Sequence, residues 1–139
     1  MTRAARILIV DDQRDILELT AAVLGGDGYD VAAVDSGAEA LDLLAREIFD
    51  LVLLDINMPE MDGWETLRLI RADEGLAGLP VVMFSVKGEL RDKVQSMQEG
   101  ALDYITKPFE VDHLLGRERR VFESIGGGRP GRVPSGSER

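Results

Sequence analysis

A chain of 139 residues, 45% hydrophobic and 30% charged, is long enough for one domain with a substantial core and too short for two ordinary ones. Its net charge of −10, from 16 basic and 26 acidic residues, argues against a nucleic-acid-binding surface and against a polybasic membrane anchor. With no cysteine, disulfides, thiolate metal sites and thiol chemistry are excluded; no apolar run approaches a membrane span or a signal-peptide core, so a cytoplasmic location is expected.

Arg6-Ile7-Leu8-Ile9-Val10 is a short β-branched apolar run that ends in Asp11-Asp12, the pattern of a fully buried strand. Ile16, Leu17, Thr20, Val23 and Leu24 then recur at helical spacing, with Gly25-Gly26 as the stop. Tyr29 to Val34 gives a second, more polar strand. Ser36-Gly37-Ala38-Glu39 has the Ser-x-x-Glu form of a capping box, and Leu41, Leu44, Ala45 and Ile48 continue one apolar face of the second helix. Leu51 to Leu54 is an all-apolar third strand that delivers Asp55 to its carboxyl end. After a turn through Ile56-Asn57-Met58-Pro59, a third helix follows, capped by Asp62 and marked by Trp64, Leu67 and Ile70.

Pro80 to Phe84 is a fourth apolar strand ending at Ser85, and Leu90, Val94 and Met97 imply a fourth helix stopped by Gly100. Ala101 to Thr106 is a fifth strand ending at Lys107-Pro108, and the last helix runs from about Val111 to Ile125. Strict alternation of strand and helix predicts an α/β fold, a doubly wound five-stranded parallel sheet of flavodoxin-like (βα)5 type. The first, third and fourth strands are continuously apolar, as strands buried on both faces must be, and the mixed second and fifth belong at the edges. That allows the order 2-1-3-4-5. The domain is expected to fill 1–125, and the Gly-, Pro- and Ser-rich stretch 126–139 to be a flexible tail or the start of a linker.

Four strands end on a chemically useful group: Asp11 and Asp12, Asp55, Ser85, and Lys107. A parallel sheet sends all of them to one edge, where ligands bind. Three crowded carboxylates repel one another and are stabilised by a cation. All-oxygen ligation suits magnesium, and a lysine and a hydroxyl beside it complete a pocket for phosphoryl oxygens. A carboxylate can itself accept a phosphoryl group as an aspartyl phosphate, and Asp55 is the best placed to do so.

These residues resemble the receiver domain of two-component response regulators, over roughly Arg6 to Ile125. The matching stretches are Ile7 to Asp12, Leu53 to Pro59 with Asp62-Gly63, Ser85 after Val81 to Phe84, and Gly100 to Phe109. The resemblance implies a signalling switch, not an enzyme acting on a separate substrate, that catalyses only its own phosphorylation and dephosphorylation. Asp55 would take a phosphoryl group from the phosphohistidine of a sensor histidine kinase or histidine phosphotransfer protein. Asp12, Asp55 and the backbone carbonyl of Asn57 would ligate Mg2+ directly and Asp11 mainly through water. Lys107 would pair with the phosphoryl oxygens, across a cis Lys107-Pro108 bond. Ser85 and Tyr104 would form the switch that reshapes the face of the fourth helix, fifth strand and fifth helix, a candidate surface for a phosphorylation-dependent homodimer or for a downstream output domain or protein.

Val86, where the family usually has a very small residue, implies a long-lived phosphoryl group. Trp64 reads as packing or partner contact, and His113 as a surface or packing residue. Arg117-Glu118-Arg119-Arg120 reads equally as a solvated face or part of a partner surface. Two alternatives use the same residues. A magnesium-dependent phosphatase with an aspartyl nucleophile, of the haloacid dehalogenase type, would need a second acid where Asn57 stands and a nucleophile after its first core strand. A phosphorylation-independent interaction module would not need the intact acidic set.

Overall fold

The computed structural model describes residues 4–85, 94, 95, 97–101, 103–106 and 111–124. The elements are β1 (Arg6–Val10), α1 (Arg14–Gly26), β2 (Asp30–Val34), α2 (Gly37–Leu44), β3 (Leu51–Asp55), α3 (Gly63–Ala72) and β4 (Val81–Ser85). Residues 94, 95, 97 and 98 are helical and form the described part of α4, before β5 (Asp103–Thr106) and α5 (Val111–Ser124). All five strands are parallel, in the order β2-β1-β3-β4-β5 expected from the apolar runs.

Strand pleating divides the core in two, because successive side chains leave on opposite faces. Leu8, Val10, Val52, Leu54, Val81 and Met83 pack with Ala40, Leu44, Leu67 and Ile70 of α2 and α3. Ile7, Ile9, Leu51, Leu53, Val82 and Phe84 pack with Leu17 and Leu24 of α1 and Val121 and Phe122 of α5. The two layers explain why β1 and β3 carry no alternation, whereas edge strand β2 has no buried residue.

The caps follow the expected chemistry with one shift. Ser36 Oγ accepts from the Glu39 N–H at 3.1 Å, but the Glu39 carboxylate reaches back to the Asp35 N–H at 3.3 Å, one residue beyond the N-cap N–H of a reciprocal box. Asp62 caps α3 by accepting from the Glu65 N–H at 2.9 Å.

Several expectations need correction. α1 ends at Gly26, the second residue of the expected Gly25-Gly26 stop, but the left-handed residue that turns the chain is Gly28, at φ 98°. Ile48 does not extend the apolar face of α2, which ends at Leu44. It is 78% exposed, and Phe49 takes the core position instead. Tyr29 precedes β2, buried and stacked on Phe122 at 5.4 Å between centroids. β5 begins at Asp103, since Gly100 adopts φ 98° and Ala101 is buried in the α2/α3 core layer before pairing starts. Val94 and Met97 are 46% and 56% exposed, so that stripe of α4 is not core. Leu90 lies outside the described residues, as does the stretch 126–139.

Candidate functional site

Register decides what meets at the carboxyl edge. β1 pairs Val10 with Leu54, which brings Asp11 level with Asp55, and β3 pairs Asp55 with Phe84, which places Ser85 one step beyond. β4 pairs Ser85 with Thr106, so the chain leaves β5 at the same edge. Lys107, Pro108 and Val86 lie outside the described residues, and Tyr104 occupies the second position of β5.

Asp11 is fully buried and fixed at both ends of its turn. Its N–H donates to the Val34 carbonyl at 3.2 Å, and its Oδ1 accepts from the Gln13 N–H at 2.9 Å. Asp55, 2% exposed, closes β3, and the next residue is held as well, the Ile56 N–H donating to the Phe84 carbonyl at 3.2 Å. Asp12 is exposed beside them. One carboxylate oxygen from each of Asp11, Asp12 and Asp55 lies within 4.8 Å of the others.

An octahedral ion with bonds of about 2.1 Å sets adjacent ligand oxygens roughly 3.0 Å apart and opposite ones roughly 4.2 Å apart, both inside that limit. Three carboxylates, two of them buried, fit a hard divalent cation, because burial raises the cost of mutual repulsion and all three side chains offer oxygen. Asn57, exposed between buried Ile56 and Met58, stands at the start of the loop that rims this cluster.

That loop is closed by glycine. The Gly63 N–H donates to the Ile56 carbonyl at 2.8 Å, and a Cβ on Gly63 would collide with the Asp55 carbonyl oxygen and come 2.7 Å from the Ile56 Cα. Glu60 takes φ 67° to complete the turn, an uncommon conformation for a residue with a Cβ.

The sequence of residues 7–118 matches the response regulator receiver domain family. This chain belongs to that family. It is 36% identical over 133 residues to the DNA-binding dual master transcriptional regulator RpaA of Synechocystis, covering 96% of this chain and 53% of that protein. It is 41% identical over 118 residues to the DNA-binding response regulator MtrA of Mycobacterium tuberculosis, covering 85% and 50%. The chain thus spans about half the length of these curated relatives. Among solved structures it is similar to the chemotaxis protein CheY4 of Vibrio cholerae, with TM-score 0.80 and 31% identity over 84% of this chain and 98% of that one. As a receiver domain it serves two-component signal transduction, and the phosphatase alternative is set aside.

Of the residues singled out in the sequence, Asp11, Asp12 and Asp55 are brought together. Trp64 is half-buried against the α2/α3 layer, as packing. His113 falls in α5. In the Arg117–Arg120 run, Arg119 forks onto Asp27 at 2.9 and 3.1 Å and ties α5 to the end of α1, while Arg120 is exposed.

Two arginines had no sequence signal. Arg6 donates to Asp30 at 3.2 Å, Glu47 at 3.0 Å and the Ile48 carbonyl at 3.0 Å, with its guanidinium 4.4 Å above the Phe49 ring. Arg71 donates to the carbonyls of Ala77, Leu79 and Gly100, and burial lowers its pKa from the ordinary arginine value. A guanidinium that gathers carbonyls or dispersed acids has no spacing of its own.

Proposed function

We propose that Asp55 is the phosphoryl acceptor of this receiver domain, with Mg2+ held by Asp12, Asp55 and the Asn57 carbonyl and, through water, by Asp11. The observation that carries the reading is the convergence of three carboxylates, two of them buried, at the carboxyl edge of a parallel sheet. Mg2+ when bound supplies charge neutralisation for the phosphoryl oxygens. A carboxylate oxygen of Asp55 forms the new P–O bond as the P–N bond of the donor phosphohistidine breaks, its electron pair staying with the imidazole. β3 and the Gly63 closure hold the Asp55 backbone still during that transfer.

In the same reading Lys107 pairs with the phosphoryl oxygens, and the hydroxyl of Ser85 and the ring of Tyr104 rearrange to alter the α4-β5-α5 face. The donor partner is a sensor histidine kinase or a histidine phosphotransfer protein. The altered face passes the signal to an output domain or protein, or to a second copy of the chain. The working compartment is the cytoplasm, and the domain ends near Ile125.

The test is incubation with Mg2+ and a small phosphodonor or the cognate kinase. Wild type is expected to incorporate one phosphate and Asp55→Asn none, a loss of at least about a hundredfold. Equal incorporation by the two would move the acceptor elsewhere.

A further inference from the structure

Phosphorylation at Asp55 alters the far end of the sheet only if something rigid connects the two, and α3 touches both. At its start, the Gly63 N–H is bonded to the Ile56 carbonyl and its Cα lies too close to the Asp55 backbone for any side chain, so α3 cannot shift independently of the acceptor strand. It is 10 residues long, about 15 Å at 1.5 Å per residue.

Near its other end, two arginines one turn apart grip the end of α4. Arg68 forks onto Glu99 at 2.9 and 3.4 Å, and Gln95 donates to the same carboxylate at 3.2 Å. Arg71 donates twice to the Gly100 carbonyl, at 3.1 and 2.6 Å, and once to the Leu79 carbonyl at 2.8 Å, just before β4. Gly100 itself takes φ 98°, and a Cβ there would come 2.8 Å from Arg71 Nε. The α4–β5 junction is therefore seated on α3 by charge-assisted bonds to both side chain and backbone.

We infer that α3, gripped at one end by the Gly63 closure and at the other by Arg68 and Arg71, is a connecting rod that transmits displacement of the Asp55 loop to Glu99 and Gly100. Arg68 and Arg71 are positioning residues: neither touches the acceptor, and each acts through the junction it holds. The inference rests on Asp55 as acceptor, and it adds a route to the switching face that does not pass through Ser85 and Tyr104.

Amide hydrogen exchange at Glu99, Gly100 and Ala101, followed on the full chain with Mg2+ and with or without acetyl phosphate, reads the coupling directly. Wild type is expected to take up phosphate and change exchange at these amides by about fivefold or more, the lower end of ordinary coupling. Arg68→Glu, Glu99→Arg and Arg71→Lys should keep phosphate uptake within about twofold of wild type and lose most of that change. The double variant Arg68→Glu with Glu99→Arg should restore it, which a merely destabilised protein would not do. A wild-type-sized change in the single variants, no restoration in the double, or no change in phosphorylated wild type overturns the connecting rod. Absence of phosphate uptake by wild type overturns the Asp55 reading instead.

Discussion

The two edges of the sheet each gather three acids, and they do opposite things with them. At the amino edge, Asp30, Glu47 and Asp50 converge on Arg6, which donates to the first two from its guanidinium and to the third from its backbone N–H at 2.7 Å. At the carboxyl edge, Asp11, Asp12 and Asp55 converge on one another. At the amino edge the chain's own cation sits among the acids and offsets part of their charge. The carboxyl edge keeps a concentrated negative charge that a bound cation would relieve, and that repulsion is what makes it the candidate site.

The largest expected effect tests how tightly the carboxyl edge is built. Gly63→Ala drives a methyl into the Asp55 and Ile56 backbone, where no flexible side chain can yield. A loss of about 3 kcal/mol in urea unfolding is expected, with phosphate uptake impaired because the acceptor strand must shift. A loss under about 0.5 kcal/mol would mean that the closure is soft.

Arg6→Ala tests the amino edge. It removes two ion pairs, a bond to the Ile48 carbonyl and the stack on Phe49, and it leaves acids facing each other. The ion pairs are partly exposed and count for little, so the expected loss is about 1–2 kcal/mol, mostly from the carbonyl bond and the ring contact. Phosphate uptake should not change.

A pair of matched variants separates the edges by sign. Asp12→Asn removes one charge from the repelling cluster and should raise stability without Mg2+ by about 0.5 kcal/mol while shrinking the rise in Tm that Mg2+ produces. Asp30→Asn removes a partner of Arg6 and should lower stability by about 0.5 kcal/mol with no effect on the Mg2+ response. Shifts of the same sign would erase the distinction between the edges.

The carboxyl edge was legible in the sequence because each of its groups follows a strand, and strand ends are marked by where apolar runs stop. The same runs mark β1, β3 and β4 as central and so allow the observed strand order without fixing it uniquely. The amino edge was not legible. Arg6 reaches partners 24 and 41 residues away, and no periodicity links them. Arg71 meets the Gly100 carbonyl 29 residues on, through a backbone atom that every residue carries. Ile48 misled because helical spacing continued after the helix had ended, and burial of Phe49 decided where the chain turned inward.

The smallest effect concerns Glu99, which lies at the amino edge but apart from the Arg6 cluster and so measures the α3–α4 contact alone. Hydrogen bonds from Gln95 and Arg68, with the charge of Arg68, outweigh partial burial and hold its pKa below the ordinary 4.5. A depressed carboxylate favours the folded state above its unfolded pKa, and that contribution disappears as pH falls from about 4.5 through the lower folded value. Comparison of wild type with Glu99→Gln should therefore show a stability difference that is constant near neutrality and closes only in acid. Because the pair is largely solvated, the difference should be a fraction of a kcal/mol, readable as a small divergence of the two urea midpoints. A difference that opened instead of closing below pH 4.5 would place the stabilising form of Glu99 on the protonated side and contradict the ion pair with Arg68.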